Sequence, residues 1–189
     1  MTRKQAIDLL HSKISNQNLR RHCYAVEAVM RALAKRFSEN EDNWGIAGLL
    51  HDADYEITKE RDPKKNHTRH TLDWLKKLDA ETDVYDAIAA HAWGYVEGAP
   101  QPKTKMQWAL YCCDELTGLI VAVALVKPDK RLSSVNVNSI MKKWRSLSFA
   151  AGVDRKQIKE CEPRLRIDLE IFIDIALKAM QGISKDLGL

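Results

Sequence analysis

The feature that most constrains the fold is a histidine followed by an aspartate at the end of an apolar run. The apolar run covers residues 46–50, and His51 and Asp52 follow it directly. Moving an ionised carboxylate out of water costs several kcal/mol unless a cation or hydrogen bonds compensate for the lost hydration. A chain that ends a core helix with this pair must supply such compensation, and a divalent metal ion is one efficient form of it.

The pattern of apolar residues predicts that most of the chain is helical. Only eight glycines and five prolines occur in 189 residues, which leaves few of the turns that an all-β protein needs and favours an all-α fold. We predict helices over 3–14, 18–37, 44–51, 67–78, a segment starting at Thr82 or Asp83, a long helix capped by Thr104, two shorter pieces within 128–163 broken by Pro128, Gly152 and Pro163, and 165–182. Polar residues predict a surface loop over 53–66, and glycines and prolines predict another over 94–102.

Length and composition indicate one domain. A chain of 189 residues can bury a substantial core, and we predict a single domain over 1–189, with its core at about 18–126 and a C-terminal helical extension at about 128–189. The first residues carry no apolar signal core, and the longest uninterrupted apolar stretch, residues 119–126, is far shorter than a bilayer span. We therefore expect a cytoplasmic protein that does not enter a membrane.

Charge and cysteine usage argue against several functional classes. The net charge of +4, from 30 basic and 26 acidic residues, is too small an excess to indicate a nucleic-acid partner, although it is compatible with an anionic substrate. The four cysteines show no Cys-x-x-Cys spacing, which fits neither a zinc knuckle nor a disulfide framework. We expect reduced core thiols at all four positions, Cys23, Cys112, Cys113 and Cys161.

Further candidate ligands near apolar segments are His22, His67, His91 and Asp114, and the helical pattern predicts that His22, His91 and Asp114 face the interior. His22 lies three residues after Leu19 on the apolar stripe of its helix, and His91 lies seven residues after Val84 on another stripe. Imidazole and carboxylate without thiolate suit Mn, Fe, Co, Ni, Zn or Mg better than Cu(I) or an iron–sulfur cluster. Water on such an ion can attack phosphorus at neutral pH, since its pKa falls to about 7 on zinc.

These residues follow the pattern of a known superfamily. A helical histidine, an adjacent His-Asp pair and a distant helical aspartate are matched by His22, His51-Asp52 and Asp114, and the chain resembles the HD-domain metal-dependent phosphohydrolases. More narrowly, residues 48–52, 114–120 and 149–153 resemble segments of small HDIG-type proteins. The resemblance implies a helical bundle with additional C-terminal helices, in which His22, His51, Asp52 and Asp114 hold a catalytic metal ion. It also implies hydrolysis of a small phosphate ester, such as a nucleotide or related metabolite, by a metal-activated water.

The resemblance further implies a second metal ion. Members of the superfamily with two ions have one histidine in the helix after the His-Asp loop and another about 25 residues later, and His67 and His91 have this separation. His70 competes with His67 for the first of these positions, and we prefer His67. In such members the aspartate of the pair, here Asp52, bridges the two ions.

The chain departs from the superfamily after the pair. Where Ile-Gly-Lys is usual, residues 53–55 read Ala-Asp-Tyr, so a substrate-binding lysine is missing. The double-His-Glu and Gly-Tyr-Pro features of cyclic-dinucleotide phosphodiesterases and the His-Asp-x-x-Glu-Asp signature of alarmone hydrolases are also missing. We predict that Asp52 is catalytic, and that Asp54 and Glu56 serve as general acid or base.

Two other functions use the same ligands. Some similar two-metal HD proteins are oxygenases that use iron, and a non-catalytic module could bind a nucleotide around a structural metal ion. Trp93, Tyr95 and Trp108 could stack on a base, although aromatic residues at helix ends more often belong to the core or its rim. The basic residues within 127–131 and 142–145 could bind phosphates, but a solvated surface is the favoured interpretation.

Overall fold

The computed structural model describes residues 1–60 and 62–189, and Arg61, inside the predicted polar loop, lies outside the described residues. Within the described ranges the regular structure is helical and contains no strand, which confirms the predicted all-α fold. The helices are α1 Arg3–Lys13, α2 Gln17–Phe37, α3 Glu41–Leu50, α4 Tyr55–Thr58, α5 Pro63–Asn66, α6 Arg69–Lys77, α7 Thr82–His91, α8 Lys105–Leu125, α9 Val137–Trp144, α10 Arg155–Lys159, α11 Cys161–Leu165, α12 Leu169–Gly182 and α13 Ser184–Leu187. A single 3-10 turn covers Leu132–Ser134.

The long helix α8 forms the centre of the bundle. It begins with a capping box, in which the Thr104 hydroxyl accepts the Gln107 N–H and the Gln107 side chain accepts the Thr104 N–H. α2, α7, α10, α11 and α12 all pack against α8. By length and composition α8 could cross a bilayer, but 61% of its most apolar window is buried by the other helices. Our sequence prediction considered only the uninterrupted run at residues 119–126 and so missed this property of the whole helix.

Helices α2 and α3 form the closest pair, and their contact positions the His-Asp pair. Gly48 of α3 lies against the α2 backbone, where an added Cβ would stand 2.9 Å from the Val26 carbonyl oxygen. Asn40 caps α3 by accepting the N–H groups of Asp42 and Asn43, so the helix begins three residues before the predicted start. The last turn of α3 then delivers residues 51 and 52 to the face of α2.

The remaining differences from the predicted elements lie in the connections. The predicted loop over 53–66 contains the short helices α4 and α5. His67, which we predicted inside a helix, precedes α6, and Thr68 between them adopts a left-handed conformation with φ 70°. Pro163 does not break a helix but lies in the first turn of α11, where a backbone N–H has no helical acceptor. The last long helix begins at Leu169 rather than 165.

The C-terminal helices cover the core from one side. α12 packs against α2, α8 and α9, with Phe172, Ile173 and Ala176 fully buried. The four cysteines are buried and free, which confirms the prediction of reduced core thiols. The pKa of the Cys23 thiol is raised well above its usual value by burial and by the nearby Asp52 and Asp114 carboxylates, so this thiol stays protonated.

Candidate metal centre

The structure brings together all six residues that the sequence suggested as metal ligands. In the first ligand group, His22 Nε2 lies 2.9 Å from Asp114 Oδ1 and 3.2 Å from His51 Nε2. His51 Nε2 lies 3.4 Å from Asp114 Oδ1, and Asp52 Oδ2 lies 3.7 Å from the Nε2 atoms of both histidines. Ligand atoms at about 2.1 Å from one ion are separated by about 3.0–3.4 Å in octahedral or tetrahedral geometry. The first ligand group therefore has the size of a metal coordination shell.

A second ligand group lies directly beside the first. His67 Nε2 lies 3.1 Å from His91 Nε2 and 3.2 Å from Asp52 Oδ1, and His91 Nε2 lies 3.7 Å from the same oxygen. The two oxygens of Asp52 thus face different groups: Oδ2 faces His22 and His51, and Oδ1 faces His67 and His91. This arrangement is that of a carboxylate that can bridge two ions.

Two of the histidines are oriented by the helices that carry them. The Nδ1 atom of His51 donates to the Gly48 carbonyl oxygen at 2.8 Å, and that of His91 donates to the Ile88 carbonyl oxygen at 2.6 Å. Since a carbonyl oxygen can only accept, Nδ1 carries the proton in both rings. In the neutral form of each ring, the Nε2 lone pair is therefore free to bind a metal ion.

His22 is oriented by a threonine on α8. The Thr117 hydroxyl donates to the Asp114 carbonyl oxygen at 2.8 Å, so it can accept from His22 Nδ1, which lies 3.3 Å away. This contact also leaves Nε2 of His22 free for a metal ion. Thr117 was not identified from the sequence, although its position one helical turn after Asp114 was a usable signal.

Asp54 orients His67, the remaining ligand histidine. Its side chain is fully buried, and Oδ1 accepts from His67 Nδ1 at 3.0 Å. The two carboxylate oxygens also accept the backbone N–H groups of Thr68, His70 and Thr71 at 3.1–3.2 Å. A carboxylate that binds the outer nitrogen of a ligand histidine fixes the ring and raises its basicity. Asp54 lies behind the ligands rather than at the cavity, a position that does not fit the general acid or base role we predicted.

The predicted general acid or base Glu56 is not brought to the cluster. Its carboxylate accepts the backbone N–H groups of Ser15 and Asn16, at 2.7 and 3.0 Å, and the Ser15 hydroxyl. These bonds lower the pKa of Glu56 and tie α4 to the start of α2. His70, the competitor of His67, is exposed and stacks on Trp74.

The Nε2 atoms of the ligand histidines lie so close together that a proton or a cation must lie between them. If all four Nδ1 atoms donate outward, the Nε2 lone pairs of His22 and His51 face each other at 3.2 Å, and those of His67 and His91 at 3.1 Å. Lone pairs at this separation repel unless a proton or a cation lies between them. The nitrogen and oxygen donors with no thiolate fit a hard or borderline divalent ion. The residues present could therefore hold one or two metal ions.

Without an ion, protons supply the positive charge. Burial lowers the pKa of His51, but the Asp52 and Asp114 carboxylates outweigh it and raise the value to about 9. Burial likewise opposes the charged form of His67, whereas its bonds to Asp52 and Asp54 raise its pKa to about 10. Both rings are thus protonated at neutral pH in the metal-free protein, and metal binding must displace these protons.

The pKa values of the two carboxylate ligands, Asp52 and Asp114, are lowered. Burial alone would raise the pKa of Asp52 and Asp114, but the charge of His51 and the hydrogen bonds from the surrounding imidazoles hold both values well below normal. The pKa of His91 is lowered, chiefly by burial, so this ring stays neutral beside the protonated His67. Both carboxylates are therefore ionised and able to bind a cation.

An open cavity of about 570 Å³ lies over the two ligand groups. This volume is within the range of about 300–1,000 Å³ that is usual for small-molecule sites. Asp52, which is 13% exposed, and Asp114, which is 21% exposed, reach its floor. A small molecule in the cavity can therefore approach both ligand groups.

The wall of the cavity includes residues that sequence reasoning did not single out. Glu115 lies beside Asp114 on α8, and its carboxylate accepts the Asp154 N–H at 2.9 Å. Burial, together with the charge of Asp114, raises the pKa of Glu115 to about 7. Trp93 and Tyr95 line the opening, whereas Trp108 and the basic segments 127–131 and 142–145 are not among its lining residues. Only contacts between distant segments define this wall, so helical periodicity could not reveal it.

Comparison with known proteins relates the chain to one protein family and to one solved helical structure. The sequence matches the HD domain family over residues 19–117, a range that includes all six candidate ligands. The structure is similar to the crystal structure of the L. monocytogenes phosphodiesterase PgpH HD domain, with a TM-score of 0.58, 14% sequence identity, and coverage of 94% of this chain and 98% of that one. At this identity the likeness supports the fold alone. No curated protein matches the sequence.

Proposed function

The chain belongs to the HD domain family, and from this premise we propose that it is a metal-dependent phosphohydrolase acting on a small phosphate ester, such as a nucleotide or related metabolite. The observation that carries the proposal is the pair of ligand groups that share the Asp52 carboxylate beneath an open cavity. The structurally similar L. monocytogenes protein is described as a phosphodiesterase, which agrees with this class of reaction.

In this proposal the six ligands form two sets, one for each metal ion. His22, His51 and Asp114 would hold one ion, His67 and His91 would hold the other, and Asp52, which has one oxygen near each ligand group, would contribute to both. Divalent ions such as Mn, Fe, Co, Ni, Zn or Mg would supply a water of lowered pKa and neutralise phosphate oxygens.

Other residues support the ligands. Asp54 and Thr117 hold the rings of His67 and His22 in place through Nδ1, and the neighbouring helix carbonyls hold the other two rings. These bonds keep the Nε2 atoms aimed at the ions without rearrangement during the reaction. Glu56 has no part in the proposal because it is bound to the start of α2.

Elemental analysis combined with a substrate screen tests the proposal. Protein purified in metal-supplemented buffer is expected to contain one or two equivalents of a divalent metal and to release phosphate from at least one monoester or diester in the presence of Mn, Co, Ni or Mg. Absence of bound metal together with no phosphate release across a broad panel would contradict it. An iron-loaded sample that consumes oxygen and leaves all esters intact would instead identify an oxygenase.

The Asp52→Asn variant separates a catalyst from a binding module. Because the substitution removes the shared negative charge, a phosphohydrolase is expected to lose at least about a hundredfold in turnover while its helical circular dichroism is retained. Asp73→Asn, an exposed change of the same type on α6, is the matched control and should leave turnover unaltered. Full ligand affinity without turnover in wild-type protein would favour the non-catalytic module. We also propose a cytoplasmic location, which cell fractionation would test.

A further inference from the structure

The cavity wall lacks the basic side chains that phosphate-binding sites usually contain. Among the described residues that line it, none is lysine or arginine. Four carboxylates line it instead, and Asp52 and Asp114 are metal ligands, so Glu115 and Asp154 remain on the wall beyond them. In the described part of the chain, no ion pair involves either Glu115 or Asp154. The wall therefore presents two carboxyl groups that no basic side chain of the described residues pairs with.

Two arginines of α10 and α11, Arg155 and Arg164, are engaged in other contacts. The Arg155 guanidinium, next to Asp154 in sequence, donates to five backbone carbonyls, those of Trp144, Ser146, Phe149, Ala150 and Val153. Arg164 pairs with Glu160 at 3.0 Å and lies 4.6 Å from the centroid of the Trp108 ring. Neither side chain is available to neutralise the cavity wall without breaking these contacts.

Aromatic rings complete the wall around Glu115 and Asp154. Trp93, Tyr95 and Tyr111 line the cavity, with the centroids of Trp93 and Tyr111 5.6 Å apart. Tyr111 is held by its backbone, since its carbonyl oxygen accepts from the Gln157 side chain at 2.7 Å. Aromatic faces beside carboxylates form a favourable environment for ammonium and quaternary ammonium groups, through cation–π attraction and charge pairing.

We propose that the substrate carries a cationic group in addition to its phosphate, an ammonium or quaternary ammonium that lies between Glu115 and the rings of Trp93, Tyr95 and Tyr111. This inference rests on the proposed function, because it assumes that the phosphate binds at the two ligand groups. Two divalent ions, less the charges of Asp52 and Asp114, would balance a phosphate dianion, so the Glu115 carboxylate would remain to pair with a cation. An anionic or large neutral organic group would meet unfavourable charge on this wall.

Binding of a matched pair of esters to the metal-loaded full chain tests the inference. Phosphocholine and its carbon isostere 3,3-dimethylbutyl phosphate have the same shape and differ in the positive charge. By calorimetry, phosphocholine is expected to bind at least about tenfold more tightly than the isostere, and 3-phosphoglycerate more weakly than either. Equal or tighter binding of the isostere or of 3-phosphoglycerate would overturn the inference.

Variants identify the residues responsible. Glu115→Gln is expected to reduce the phosphocholine-to-isostere affinity ratio by about fivefold or more, since the amide keeps the shape and removes the charge. Tyr95→Leu, at a ring that is 43% exposed, should reduce the same ratio by about threefold without disturbing the core. Glu170→Gln, an exposed change on α12, is the control and should preserve the ratio. A ratio unchanged in both cavity variants would contradict the assignment.

Phosphate release measured on the same esters separates this inference from the proposed function. Preferential binding of phosphocholine without phosphate release from any ester would support the cation site and contradict the hydrolase. Release of phosphate from neutral esters with no preference for the cationic one would support the hydrolase and contradict the cation site. Absence of binding by all three esters would contradict both.

Discussion

At the scale of single residues, the orientation of two ligand histidines, His22 and His67, depends on partners that the spacing within their own segments of the chain does not reveal. The six ligands could be predicted because histidine and aspartate on apolar stripes are costly to bury without compensation. The partners of Nδ1 in His67 and His22 were not predicted, since Asp54 lies 13 residues from His67 and Thr117 lies 95 residues from His22. Only the folded chain brings these groups into contact. This is also why the sequence assigned Asp54 a chemical role rather than a supporting one.

The substitution Asp54→Asn tests this supporting role. The amide can keep one acceptor oxygen for His67 and Thr68, but it then turns an NH₂ donor toward the backbone N–H groups of residues 70 and 71. We expect the second ligand group to bind metal about ten- to a hundredfold more weakly, and the free energy of unfolding to fall by about 3 kcal/mol. Metal titration calorimetry and urea unfolding measure the two effects, with Asp73→Asn as control. Unaltered affinity for the second ion would contradict the role of Asp54.

The raised pKa values of His51 and His67 predict that metal affinity depends on pH. Both rings are protonated in the metal-free protein well above neutral pH, with pKa values of about 9 and about 10. Each ion that binds must displace a proton, so the apparent affinity should rise by up to about tenfold per pH unit for each proton released. Competition titration against a chelator between pH 6 and 8 measures this slope. An affinity independent of pH over this interval would show that these rings are not ligands.

At the scale of helices, the close contact of α2 and α3 sets the position of the His-Asp pair. The long periodic helices were predicted within a few residues, because their apolar stripes dominate the local pattern. The helix starts were less accurate, since Asn40 rather than Asp42 or Asn43 caps α3. The close approach at Gly48 was not predicted, because a glycine in an apolar run carries no signal of what lies opposite it.

The substitution Gly48→Ala should disrupt this contact. The new Cβ would lie 2.9 Å from the Val26 carbonyl oxygen and 3.0 Å from two backbone atoms of Glu27, none of which can move without shifting α2. We expect a loss of about 2 kcal/mol or more in the free energy of unfolding, together with weaker metal binding, since the Gly48 carbonyl oxygen orients His51. Thermal or urea unfolding measures the loss.

Gly118→Ala in the middle of α8 is the matched control. No heavy atom lies within 4 Å of the Cβ that it would introduce. This change should be neutral or should stabilise the protein by up to about 1 kcal/mol, because alanine favours the helix. Equal losses in the two variants would show that the contact between α2 and α3 is not the cause.

At the scale of the whole molecule, the metal centre joins segments from much of the bundle. Its ligands come from α2, the end of α3, the segment before α6, the end of α7, and α8. The all-α class followed from composition and periodicity, and the meeting of the ligands followed from the inward faces of the helices. The sequence did not predict that residues 150–157 cover the cavity. Their position depends on the packing of α10 against α8 and on the contacts of Arg155.

Without bound metal, the stability of the molecule should decrease as the pH becomes alkaline. The pKa values of His51 and His67 are raised above the ordinary 6.5, so their contribution to stability is fully present below pH 6.5 and is lost as pH rises through about 9 to 10. Chelated protein is therefore expected to melt at a lower temperature at pH 10 than at pH 7. Protein saturated with metal should melt at a higher temperature than chelated protein at pH 7, because an ion that binds only the folded state stabilises it. Calorimetric scans at both pH values, with and without chelator, measure these differences.

The position of Asp52 between the two ligand groups has a consequence for how metal occupancy depends on the free metal concentration. Because each ligand group has one oxygen of Asp52, an ion held at one group would fix this carboxylate in the rotamer that the other group also requires. Occupancy would then follow a sigmoidal dependence on free metal with a Hill coefficient above one. Under limiting supply, a population would divide into empty and doubly loaded molecules, with few half-filled ones.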